Sequence, residues 1–227
     1  MQSVVVVLVS INRLSALTLG YVLPNEFLRW VDLNNMLVLP LISLVAFYLL
    51  KKELEYAGPA REGRWHRALS LAFIVGVYLL GAGYGDHEVT NYLHARFCDP
   101  DAASLPGLCR IVIFNDDEFS HWVFFAGFVL VNAALMLLQV VFPQRATVAG
   151  RDRALLIFNG LFIGAGVFAN LAFEVIGLDL YVVALLEALA LWLLWRRGAQ
   201  PLLVYYGTAY TLGLAATAVY KLFFFRP

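Results

Sequence analysis

Apolar residues gather along the chain in seven long runs, 3–23, 33–50, 68–85, 119–142, 154–176, 178–195 and 201–223. An α-helix rises about 1.5 Å per residue, so roughly 20 apolar residues cross a hydrocarbon layer about 30 Å thick. Each run is close to that length. The pattern predicts an all-α fold: a single seven-helix transmembrane domain over residues 1–227, with an outer loop at about 98–115. The fifth and sixth runs are joined only by Ile176-Gly177-Leu178-Asp179, so they form an antiparallel hairpin. The first run has no basic segment ahead of it and no small-residue cleavage site, which reads as a retained helix rather than a signal peptide.

Composition gives this pattern its environment. The chain is 62% hydrophobic and only 14% charged, where a soluble domain averages about 25% charged; its mean hydropathy is +0.77. So much apolar surface cannot all be hidden in a core of this size, and it must face lipid. The formal net charge is zero, which leaves no electrostatic case for nucleic acid.

Lysine and arginine orient the bundle, because they concentrate in cytoplasmic loops. Lys51, Lys52, Arg61, Arg64, Arg67, Arg145, Arg151, Arg153, Arg196 and Arg197 follow runs two, four and six; Arg29, Arg96, Arg110, Lys221 and Arg226 lie on the opposite side. The N-terminus is therefore expected inside and the C-terminus outside. Trp65, Trp192 and Trp195 fall near the inner boundary, and Trp30 and Trp122 near the outer one, as interfacial aromatic belts require. The only cysteines, Cys98 and Cys109, share the outer loop, where an oxidising compartment favours a disulfide; two free thiols are the alternative.

The polar residues suited to chemistry collect on that outer side. His87, Asn91 and His94 are spaced i, i+4, i+7 and share one stripe if the third helix continues past Gly85, with Glu88 flanking it. The alternative is a break within GAGYG, where Gly81 and Gly85 form a small-x-x-x-small pair for close helix approach. Ahead of the fourth run lies FNDDEFSHW, residues 114–122. There Asp117 and His121 are at i, i+4 and Glu118 and His121 at i, i+3, so each pair can point a carboxylate and an imidazole at one ion. Helix capping is the simpler account of the acids: Asn115 as N-cap, Glu118 three residues on, and Asp116 and Asp117 against the helix dipole.

A hydrolytic metal site typically takes three protein ligands and keeps one position for water, whose pKa zinc lowers to about 7. The candidate ligands are His87, His121 and Asp117, then His94 and Glu118, for a divalent metal, zinc or alternatively iron. Glu88, Glu118 and Glu174 are the candidate catalytic carboxylates; Glu174 follows Asn170 by one helical turn and could close a cavity under the histidines. A hydrogen-bonded polar cap over the bundle is the competing reading. Deeper in the chain, Arg13 and Glu187 fall at similar depth and could pair. Asn132 and Asn159 read as links between helices, and Gly160 with Gly164 as a packing pair. Lys221 snorkels to the interface, and His66 is a solvated loop residue.

At GYGDH and Asp117-Glu118 the sequence resembles the superfamily of alkaline ceramidases and progestin/adipoQ receptors. Those are seven-helix membrane proteins with a zinc-dependent amide-hydrolase site. The resemblance covers about 40 residues and implies site roles for His87 and Asp117. Gly83 stands where the family's serine would fall, and the family's C-terminal His-x-x-x-His has no counterpart, since no histidine follows His121. The expected function is a membrane-embedded, metal-dependent hydrolase acting on a lipid or lipid-like substrate at the extracytoplasmic face of a plasma or bacterial inner membrane. The alternatives are an iron, copper or haem redox enzyme, a proton- or cation-coupled transporter or sensor, and a non-catalytic partner subunit. Membrane lipids are the expected partners; oligomeric state is left open.

Overall fold

The structure, a computed structural model, describes residues 2–57, 63–98, 107–144, 148–172 and 177–224. It is all-α apart from one isolated antiparallel bridge between Tyr21 and Arg29. The helices are α1 (Gln2–Leu14), α2 (Trp30–Tyr56), α3 (Arg64–Phe97), α4 (Gly107–Val141), α5 (Gly150–Ala172), α6 (Leu178–Arg197) and α7 (Pro201–Phe223). Six of them, α2 to α7, are long and apolar enough to cross a membrane. Large apolar side chains stand exposed along these helices, among them Leu71, Ile74 and Tyr78 on α3 and Phe158 on α5. That is the signature of an integral membrane protein, whose helix faces are wetted by lipid rather than water.

The first apolar run is divided. Helix α1 has 13 residues, about 20 Å at 1.5 Å per residue. The chain leaves it at Ser15, whose Oγ accepts Leu17 N–H, and passes through a 3₁₀ turn over Ala16–Thr18. At the start of α2, Arg29 donates twice to Asp32 at 2.9 Å, and this hydrogen bond holds the guanidinium more firmly protonated than usual.

The chain forms two compact units, Met1–Tyr48 with Ile74–Leu130, and Leu49–Phe73 with Val131–Pro227. In the first, α1 and α2 are joined by buried amides: Asn12 Nδ2 donates to Asn35 Oδ1 at 2.8 Å and to Val31 O at 3.0 Å, and Asn34 Nδ2 donates to Asn12 Oδ1 at 3.1 Å. Helix α3 is unbroken for 34 residues, about 50 Å by its rise, so GAGYG is not a break. Its close approach to α4 runs through Gly83 and Gly127. A methyl group at Gly83 would overlap Phe124 N and lie 2.8 Å from Ser120 O; one at Gly127 would overlap Leu80 N and lie 2.7 Å from Gly76 O. The expected pair does something else: Gly81 meets only Leu44 at ordinary distance, and Gly85 faces open space. Cys98 and Cys109 stand at disulfide distance, 2.09 Å between sulfurs, and tie the end of α3 to the start of α4.

In the second unit, Gly160 and Gly164 do act as a packing pair: added methyls would lie 3.0 Å from Tyr205 O and 2.8 Å from Ala209 O on α7. Asn132 links helices as expected, accepting from Tyr206 Oη at 2.6 Å in the buried interior. Asn159 Nδ2 donates within its own helix to Leu155 O. Asn170 Nδ2 donates to Asp179 Oδ2 at 3.3 Å, joining the facing ends of α5 and α6. His66 is not a solvated loop residue. It lies on α3, its Nε2 is 2.6 Å from Glu55 Oε1, its ring packs edge-on against Phe142, and Lys51 shares the same carboxylate.

Candidate functional site

One stripe of α3 builds both the packing and the polar cluster. Gly76, Leu80, Gly83, His87, Asn91 and His94 recur every three or four residues, so they lie on one face. The lower part of this face touches the α4 backbone through Leu80 and Gly83. With the backbones in contact, the next turns of the same stripe must also face α4, and there they meet Asp116.

Asp116 is the centre of the cluster and is almost wholly buried, at 1% exposure. His94 Nδ1 lies 2.9 Å from its Oδ2, and Asn91 Nδ2 donates to the same oxygen at a long 3.4 Å. His87 Nδ1 lies 3.1 Å from Oδ1 and 3.2 Å from the Asp116 carbonyl; only the carbonyl contact has hydrogen-bond geometry. Oδ1 is thus left buried without a hydrogen bond. Ser120 Oγ donates to the same carbonyl at 2.7 Å. With the carboxylate ionised it only accepts, and His94 then donates through Nδ1 and keeps its lone pair on Nε2. A histidine held by a carboxylate in this way is the arrangement metal sites use to orient an imidazole.

Asp117, the next residue, is exposed. A ligand atom from each of His94, Asp116 and Asp117 lies within 4.8 Å of the others, close enough to gather about a small cation. The His87 and His121 rings face each other with centroids 5.0 Å apart, tilted at 46°. Of the expected ligands, then, His94 and Asp117 join one group and His87 and His121 form an adjoining pair.

The expected carboxylates fare differently. Glu88 is buried and ion-paired: Arg13 Nη2 lies 2.5 Å from its Oε1. Arg13 therefore pairs with Glu88 and not with Glu187. Glu118 is exposed and joins no three-residue ligand group among the described residues. Glu174 lies outside the described residues.

The capping account of FNDDEFSHW is overturned. Helix α4 already begins at Gly107, eight residues before Asn115, and Asn115 Nδ2 donates to Ile111 O within it. Residues Asn115–Phe119 instead form a π turn in mid-helix. Such a turn holds one more residue than an α turn and re-aims the side chains around it, a device common at functional sites. Asp116 is the residue this turns toward α3, and it is the one the spacing argument passed over. A signal for it was present in the spacing: Asp116, Ser120, Gly127 and Val131 follow one helical face, and all four are buried in the structure.

No protein-family model, curated protein or solved structure matches this chain.

Proposed function

We propose that the protein is a membrane-embedded, metal-dependent hydrolase of a lipid-like substrate, with a divalent cation held by His94, Asp116 and Asp117. The observation that carries this reading is the buried Asp116 carboxylate, approached by two imidazoles and left with one oxygen unbonded. A buried, unsatisfied carboxylate oxygen costs about 1–3 kcal/mol or more. A bound cation offsets that cost directly. Three nitrogen and oxygen ligands suit zinc with a fourth position open to water, and a bound zinc supplies a water acidic enough to lose its proton near neutral pH. The chain's own part is to hold the ligands and to move protons. In hydrolysis the water oxygen bonds to the acyl carbon or phosphorus, the ester or amide bond breaks, and the water's proton passes to the leaving group; the His87–His121 pair is the carrier at hand.

The cluster's place along α3 supports a lipid-like substrate. At about 50 Å, α3 outruns a 30 Å hydrocarbon layer, so the Phe97 end rises to the depth of lipid headgroups. The distribution of basic residues and the Cys98–Cys109 pair favour the extracytoplasmic side. Arg13, at the C-terminal end of α1, reaches Glu88, which lies between His87 and His94 on α3, so the end of α1 stands at the level of the cluster.

Elemental analysis of purified protein, paired with hydrolysis of lipid esters and amides, tests the reading. One divalent ion per chain is expected, lost in Asp116→Asn together with turnover. Metal content and turnover both unaffected by Asp116→Asn and His94→Ala would overturn it. Bound iron or copper with no hydrolysis would favour the redox alternative.

A further inference from the structure

Far along the chain from this cluster, Gln139, Val140 and Pro143 at the end of α4 and Arg196, Arg197 and Gln200 at the α6–α7 turn line a cavity of about 330 Å³. That volume is at the lower end of pockets that hold small ligands, roughly 300–1,000 Å³. Its polar lining is one-sided. No carboxylate lines the cavity, and neither arginine has a carboxylate partner among the described residues. Gln139 Oε1 already accepts Leu202 N–H and its Nε2 already donates to Phe142 O, while Gln200 Oε1 already accepts Gln144 N–H. The spare donor of the pair is chiefly the Gln200 amide N–H. Helix α7 opens beside the cavity, with Gln200 at its N-cap and Pro201 in its first turn, and adds the positive end of a helix dipole. The lining therefore offers two guanidinium groups, the Gln200 amide N–H and the start of α7, set against the C-terminal ends of α4 and α6, whose negative dipole ends the two arginines outweigh.

The level of the cavity in the membrane narrows the ligand. Trp192 and Trp195 are 52% and 78% exposed on the last turns of α6, and the Arg196 guanidinium lies 5.7 Å over the Trp195 ring. Exposed tryptophans mark the depth of lipid headgroups. Val140 and Pro143 give the cavity an apolar wall beside its charged one. Basic pockets between helices at this depth suit phosphate-bearing headgroups.

We propose that this cavity binds a phosphate-bearing anion, seated between Arg196 and Arg197, as the headgroup of an anionic phospholipid. The test mixes the purified full chain in neutral detergent with phosphatidylglycerol or phosphatidylcholine and counts retained lipids by native mass spectrometry. Wild type is expected to retain phosphatidylglycerol about tenfold better than phosphatidylcholine. Arg196→Gln with Arg197→Gln abolishes that preference, while Arg196→Lys with Arg197→Lys keeps most of it. Inorganic phosphate at millimolar concentration is the second arm: Arg-dependent displacement of the lipid by phosphate supports the same site with a soluble phosphate compound as its occupant. Equal retention of the two lipids by wild type, a comparison that needs no variant, overturns the proposal. So does a preference that survives in the folded double glutamine variant, with helicity and thermal midpoint unchanged. Metal content and hydrolysis are unaffected in either case.

Discussion

Arg13 and Glu88 are 75 residues apart in sequence and meet at 2.5 Å, with the carboxylate buried and the guanidinium half exposed. The contact fastens the end of the short α1 to the α3 turn that carries His87. Removing one partner from a buried pair costs more than the pair itself contributes, because the other charge is stranded. Arg13→Ala should therefore lower stability by about 1–3 kcal/mol, less than the 3–5 kcal/mol of a fully buried pair because Arg13 is partly solvated. Arg13→Gln with Glu88→Gln should recover much of the loss. Thermal midpoints of the four combinations in one detergent measure the coupling as a double-mutant cycle, and additive midpoints would remove the pair from the account.

Gly83→Ala and Gly127→Ala should each destabilise the protein by about 1–3 kcal/mol, since the added methyl meets backbone that has no rotamer to change. Both should also weaken cation binding, because the helices that carry the ligands must part. Gly85→Ala is the contrasting case two residues away: it faces open space, and better helix propensity makes it neutral or stabilising by up to about 1 kcal/mol. Equal effects at Gly83 and Gly85 would mean that α3 and α4 are not in backbone contact there.

Among the carboxylates, Asp116→Asn should reduce divalent-cation affinity by at least about tenfold, as loss of a charged ligand or of its orienting partner does. Asp117→Asn should give a smaller reduction and Glu118→Gln none. Titration with zinc or cobalt, read by calorimetry, ranks the three. An effect at Glu118 equal to that at Asp116 would show that the ligands are wrongly chosen.

Reduction of the Cys98–Cys109 pair, or Cys98→Ser with Cys109→Ser, should cost about 3 kcal/mol, the chain-entropy expectation for a loop of this size. Melting with and without reductant measures it. Cation affinity should fall in parallel, and a melt insensitive to reductant would contradict the expectation.

Most of the fold could be read from the chain because lipid leaves so few options: a long apolar run has little choice but to become a helix. The His87, Asn91 and His94 stripe was equally legible, since a helix that does not break keeps its periodicity. The errors came where periodicity is interrupted or where contacts are distant. The π turn at Asn115–Phe119 brought Asp116 rather than Asp117 to the centre and removed the apparent cap. The glycines that matter, Gly83 and Gly127, lie on different helices, whereas small-x-x-x-small spacing within one helix points to Gly81 and Gly85. Arg13 found its partner on α3 rather than α6, which matching depths alone could not decide. The first run ended early because Ser15 offers the backbone its own hydroxyl.

The α3–α4 hairpin is fixed at two points, by backbone contact at Gly83 and Gly127 on one side of the cluster and by the Cys98–Cys109 link on the other. His87, His94 and Asp116 lie between those two anchors, braced from either end. The spacing of these side chains is then set by the main chain as well as by their rotamers. If the proposed cation binds at His94, Asp116 and Asp117, it meets side chains held from both sides, so selection among cations would rest on ionic radius, with little help from the protein adjusting to fit.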